Sequence, residues 1–130
     1  MARKFLSIGS GLALLAVAAG AFGAHVLEDR LDQDHLDHFK TAAQYQMYHA
    51  LALMVVAWVC VYRRSRTAIA AGGCFIAGII IFAGTLYALA LGGPKWLGAI
   101  TPIGGILLMG GWLLLLISAM RWNDVNDRMG

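Results

Sequence analysis

The sequence predicts an all-α membrane protein, a polytopic four-helix transmembrane bundle with short loops. Three observations carry this. Hydrophobic residues make up 60% of the 130 residues and charged residues only 13%, where a soluble domain carries about 25% charged residues. A domain this small keeps a large surface for its volume and cannot hide so much apolar area from water. The apolar residues also gather in four runs, about 5–26, 42–62, 68–91 and 97–120, none of which contains Asp, Glu, Lys or Arg.

Each run is close to the ~20 residues that cross ~30 Å of hydrocarbon as a helix. Hydrocarbon offers the backbone no hydrogen-bond partner, so a spanning segment must satisfy itself; these runs are too long for barrel strands. The first run, 5–26, opens after Arg3 and Lys4 and contains Ala19-Gly20-Ala21, the marks of a signal peptide. It is long for one, and it is read as a retained helix. Between the first and second runs lies the longest connection, 27–41, read as an outer loop. Leu36, Phe39 and Ala43 recur there at i, i+3, i+7, with Asp32 or Asp34 as an N-cap, so helix two is expected to start outside the membrane or to follow a short interfacial helix. The links 63–67 and 92–96 are short enough to join only antiparallel neighbours, and Gly92-Gly93-Pro94 breaks the chain between helices three and four. The whole of 1–130 is read as one domain.

Orientation follows from the basic residues. Arg3, Lys4, Arg63, Arg64, Arg66, Arg121 and Arg128 fall on one side, against Arg30, Lys40 and Lys95 on the other. The positive-inside rule places both termini in the cytoplasm. The net charge of +3 is thus spent on topology; it forms no stripe or face of the kind that binds nucleic acid. Cys60 and Cys74 lie inside apolar runs without metal-ligand spacing and read as small apolar residues.

Depth is the informative coordinate. His25 closes helix one. Gln44, Tyr45, Gln46, Tyr48 and His49 open helix two; Thr85 and Tyr87 close helix three; Thr101 opens helix four. At 1.5 Å per residue, all lie within about 12 Å of one boundary. Polar side chains in lipid face the bundle interior. Two readings fit: a polar pocket open to the outer leaflet, formed by His25, Gln44, Tyr45, His49, Thr85, Tyr87 and Thr101, or interhelical hydrogen bonds that bind nothing. Small residues at Gly20, Gly23, Ala24, Gly84, Gly104 and Gly105 are expected to be helix-packing positions, where backbones approach closely. Trp96, Trp122 and Tyr62 fall at the expected interfaces.

No catalytic residues, cofactor or metal site are assigned. Asp34, His35, Asp37 and His38 are metal-ligand types, but their spacing fixes no third strong ligand and a solvated acidic helix face accounts for them. Ser7, Ser10 and Ser118 sit at the end opposite the histidines, so no Ser-His-Asp set can be argued. The spans carry no carboxylate, the usual proton relay of an ion-coupled transporter.

Several motifs nevertheless form a pattern: Gly20-Ala21-Phe22-Gly23-Ala24-His25, Tyr45-Gln46-Met47-Tyr48-His49-Ala50-Leu51-Ala52-Leu53, Phe82-Ala83-Gly84-Thr85-Leu86-Tyr87, and Thr101-Pro102-Ile103-Gly104-Gly105 with Gly111-Trp112. In order and over almost the whole chain, they resemble the family of small membrane proteins catalogued as domain of unknown function 423, whose animal members are called transmembrane protein 256. The resemblance implies a small bacterial inner-membrane protein of about four helices and supplies no catalytic residues. The acidic, histidine-bearing stretch Asp32 to His38 is not part of the resemblance. The expected function is that of a non-enzymatic accessory or assembly subunit in the bilayer, partnered by other membrane subunits or by itself. The alternative is a binder or transporter of a small molecule, lipid or ion.

Overall fold

A computed structural model describes the backbone of residues 1–129 and the side chains of residues 1–122; Arg128, one of the topology-setting basic residues, therefore has its side chain outside the described residues. Four long helices follow one another: α1 (Ala2–Phe22), α2 (Gln33–Tyr62), α3 (Arg66–Ala90) and α4 (Leu97–Met129), with a π-helical turn at Gly23–Leu27 prolonging α1. No strand occurs among the described residues. All four helices are long and apolar enough to cross a membrane. α1 has 21 residues and its π-helical turn brings the continuous span to 26; the shortest continuous span is then α3, whose 25 residues reach about 37 Å at 1.5 Å per residue.

The packing order follows the chain: α1 lies on α2, α2 on α3 and α3 on α4, while α1 and α4 do not run along each other. Helices α2 and α3 form the centre, with 44% of each spanning window buried, against 28% for α4 and 17% for α1. The core follows from this order. Leu53, Val56 and Phe75 are fully enclosed between the central helices, and Leu108 and Leu115 of α4 close over them.

The stretch expected as an outer loop is mostly helical. α2 begins at Gln33, capped by Asp32, whose carboxylate accepts the His35 backbone N–H at 2.9 Å. The cause is tertiary: Leu36 and Phe39 bury against Leu27, Ala90 and Tyr87, a second apolar cluster beneath the acidic end of the bundle. The Asp32 carboxyl is held below the ordinary carboxylate range, first by that backbone N–H and then by the His35 ring at 2.6 Å. The cap therefore stays ionised to lower pH than a free aspartate would.

Glycines set the helix separations. A Cβ at Gly9 would stand 2.9 Å from the Ala50 carbonyl oxygen, so α1 and α2 meet there backbone to backbone. A Cβ at Gly104 would stand 2.5 Å from the backbone nitrogen of Phe82, fixing α3 against α4. Gly23 and Gly105 also face aromatic neighbours, Phe39 and Phe82. Gly20 and Gly84 differ from expectation: nothing lies within 4 Å of a Cβ at either, and Ala24 is likewise exposed. Four-residue spacing identifies a smooth helix face, but cannot say whether the chain itself covers that face.

Gly104→Ala should cost about 1–3 kcal/mol, because the neighbour it meets is backbone and cannot turn aside. Gly20→Ala should stay within about 0.5 kcal/mol. Unfolding of the detergent-solubilised protein by heat or by a denaturing detergent compares the two directly; equal losses would contradict the assigned seam.

Candidate functional site

The polar residues of the spans are brought together in separate knots. The first centres on Gln46, which is 6% exposed. Its Nε2 donates to the Leu12 carbonyl oxygen of α1 at 2.8 Å, and its Oε1 accepts the Tyr87 hydroxyl of α3 at 2.8 Å. One amide thus ties three helices. The Tyr87 ring completes the contact edge-on against Phe39, with ring centroids 5.1 Å apart.

The second knot centres on His49, which is 5% exposed. Its Nδ1 lies 2.6 Å from the Tyr45 carbonyl oxygen and its Nε2 lies 3.1 Å from Trp112 Nε1. A carbonyl only accepts and an indole N–H only donates, so the tautomer is fixed by elimination: Nδ1 carries the proton and Nε2 offers its lone pair. Both nitrogens are used. The ring is stacked on Tyr45 at an interplanar angle of 18° and flanked by Phe75 and Trp112, the latter edge-on. Phe75 is itself seated on Gly111, where a Cβ would stand 2.7 Å from its ring.

The third knot joins α3 to α4. Thr85 and Thr101 place their hydroxyl oxygens 2.6 Å apart. Each also lies near a carbonyl one turn back in its own helix, Ile81 for Thr85 and Leu97 for Thr101. Two hydroxyl protons serve these three contacts, so one threonine donates across the interface and the other donates to its own helix.

The remaining expected residues lie apart. Gln44 Nε2 donates to the Tyr48 hydroxyl at 2.6 Å on the exposed face of α2. His25 is exposed on the π-helical turn. The single polar pocket drawn from depth is therefore resolved into paired contacts. Trp112 and the Leu12 carbonyl enter as central members that depth did not select, and Gln46, found at the same depth but not counted among the seven pocket residues, is the centre of the first knot. Among the described residues no three His, Cys, Asp or Glu side chains converge to hold a metal ion; Asp32 and Asp37 engage His35 and Gln33.

Beside the His49 knot runs an open groove of about 360 Å³ between α2, α3 and α4. Tyr45, Tyr48, Phe82, Met109 and Trp112 line it, with His49 in contact. Because His49 is already committed to two hydrogen bonds, the groove offers aromatic and thioether surface. Such a lining accepts an apolar chain or a flat ring.

Comparison with known proteins agrees with this architecture. The family described as "Protein of unknown function (DUF423)" matches residues 19–105. The "UPF0382 membrane protein" of Staphylococcus epidermidis is 43% identical over 123 residues, covering 92% of this chain and 98% of the relative. That of Staphylococcus haemolyticus is 41% identical over 123 residues, with the same coverage. The UPF0382 membrane protein YwdK of Bacillus subtilis is 40% identical over 121 residues, again covering 92% and 98%. No solved structure matches the chain.

Trp112→Phe keeps the ring but removes the donor to His49 Nε2. Leaving a buried acceptor unpaired should cost about 1–3 kcal/mol. In a His49→Ala background the same change should cost clearly less, since the acceptor is gone. Unfolding of the four proteins of this cycle in detergent measures the coupling; additive losses would rule out the bond.

Proposed function

The chain belongs to the DUF423 family of membrane proteins, and from that premise we propose that it is a non-enzymatic accessory or assembly subunit of an inner-membrane complex, engaging a partner helix through the outer face of α1. The observation that supports this is the seam Ser7, Gly11, Leu14, Ala18, Ala21 and His25, spaced by four and three residues along α1 and exposed throughout. Helices that face only lipid have no need of small side chains. Four of the seam's six positions, Ser7, Gly11, Ala18 and Ala21, are small, which lets a second helix approach closely. The spacing is also that of a left-handed helix pair. The polar groups inside the bundle are meanwhile spent on one another, which leaves the outer surface as the part free to act.

Purification from native membranes in mild detergent tests this reading. A membrane protein, or a second copy of the chain, should co-purify, and Ala18→Leu should release it while leaving the unfolding transition in place. A monodisperse monomer without a companion protein would overturn the proposal. The same preparation weighs the alternative of a small-molecule or lipid binder: a monomer that retains a lipid-soluble molecule against Tyr45 and Trp112 would favour the groove instead.

The proposed orientation has both termini in the cytoplasm, on the weight of seven basic residues (Arg3, Lys4, Arg63, Arg64, Arg66, Arg121, Arg128) against three (Arg30, Lys40, Lys95). With Cys60 and Cys74 replaced by Ala, Arg64→Cys should react with a membrane-impermeant thiol reagent only after the membrane is opened, and Lys95→Cys should react from outside. The reverse pattern would invert the topology.

A further inference from the structure

The arginine end of the bundle holds a cavity of about 550 Å³ between the start of α1 and the link from α2 to α3. Arg63, Arg64 and Arg66 line it, together with apolar Cys60 and Ile69. The link is short and extended, with φ −153° and ψ 133° at Arg63 and φ −122° and ψ 112° at Ser65. It is also anchored. Ser65 Oγ accepts the Ala68 N–H at 3.1 Å, capping α3, and lies 2.9 Å from Ser118 Oγ of α4. The three guanidinium groups are therefore carried on a fixed segment.

Three features of the described residues at this end call for an anion. Arg63 Nη1 is buried and has no hydrogen-bond partner among the described residues. An unpaired buried cationic N–H is costly and calls for an acceptor. The first turn of α3 contains no acidic residue, although a helix N-terminus carries partial positive charge and its first N–H groups lack partners within the helix. Finally, the carboxylates among residues 1–122 are Glu28, Asp29, Asp32, Asp34 and Asp37, all at the opposite end; Asp124 and Asp127 lie beyond the described side chains. Topology alone explains arginines that reach water, as the exposed Arg64 and Arg66 do. It does not explain a guanidinium nitrogen withdrawn from water without a hydrogen-bond partner among the described residues.

We propose that this cavity binds the anionic headgroup of a glycerophospholipid through Arg63, Arg64 and Arg66. Guanidinium forks match the oxygens of a phosphate in pairs. The lining changes from cationic to apolar at Cys60 and Ile69, which suits a ligand whose phosphate continues into hydrocarbon. Basic pockets at the ends of membrane helices recognise headgroups in this way. The site does not depend on the partner proposed for α1, nor on which side of the membrane the arginine end occupies.

The test is native mass spectrometry of the intact protein released from vesicles of phosphatidylcholine mixed with phosphatidylglycerol. The wild-type chain should retain phosphatidylglycerol in preference to phosphatidylcholine. At about fivefold per arginine removed, the combined change Arg63→Gln and Arg66→Gln should lower that retention more than tenfold. Arg64→Gln, at an exposed position, repeats the test with a smaller loss should the double variant fail to fold. Arg30→Gln, at the opposite end, should leave retention unchanged. Equal retention of the two lipids, or equal loss in Arg30→Gln, would overturn the proposal. A second arm adds inorganic phosphate: displacement of the lipid at low phosphate concentration would reassign the site to a free anion and overturn the lipid assignment.

Discussion

A hydrogen-bonding group inside hydrocarbon has no water to return to, and the arrangement of this bundle depends on that. An amide, an imidazole, an indole and two threonine hydroxyls lie within the spans, and each must find its partner in another helix or in its own backbone. Gln46 meets the demand by reaching both ways from α2, to a carbonyl of α1 and a phenol of α3. His49 meets it by taking one bond along its own helix and one from α4. These bonds fix the rotation of α2 about its axis, because Gln46 and His49, three residues apart, must point inward together. Apolar contact alone would not select that rotation: lipid tails are as apolar as Leu, so packing leucine against leucine gains little over packing it against lipid.

Such bonds require close backbones, and the glycines supply them. Gly9 brings α1 onto the Ala50 carbonyl within a turn of the place where Gln46 reaches Leu12. Gly104 meets the Phe82 backbone three residues from each member of the Thr85–Thr101 pair. Gly111 seats Phe75, whose ring contacts both His49 and Trp112. The Gln46–Leu12, Thr85–Thr101 and His49–Trp112 bonds thus each stand beside a glycine contact. The two work as a unit: the missing side chain shortens the gap, and the polar pair makes the shortened gap specific.

The sequence made one coordinate of this arrangement legible and concealed another. Distance along the membrane normal follows from counting residues in an uncharged run, so the clustering of Gln46, His49, Tyr87 and Thr101 at one depth could be read directly. Angle about the bundle axis could not, because it depends on where the neighbouring helices stand. Gln44 and Gln46 illustrate this. They are chemically identical and two residues apart, yet one bonds Tyr48 on an exposed face and the other joins three helices. The same blindness explains why Gly20 and Gly84 looked equivalent to Gly104. The start of α2 was legible in part: Asp32 was one of the two expected N-caps, while the extent of helix within 27–41 was not readable. Helix formation from Gln33 is supported by Leu36 and Phe39 burying against nearby Leu27 and against Ala90 and Tyr87, about fifty residues further along the chain.

Helix α1 is held in an unusual way. Its ties to the rest include a Gln46 bond to its backbone carbonyl at Leu12, a backbone approach at Gly9, the Gly23 contact with Phe39, and the Phe5 ring placed where a Cβ on Gly72 would stand. The Phe5 ring, the Phe22 ring against Phe39 with centroids 6.4 Å apart, and Leu12 and Ala19 packed on the two core clusters are side-chain ties; the others ask for backbone or for the absence of a side chain. The side chains on its outer faces are exposed, and they include the seam from Ser7 to His25. A helix can change the side chains on a face that its own bundle does not cover at little cost to that bundle. That freedom permits one surface to be shaped by a second helix while the Gln46 and His49 knots behind it stay as they are.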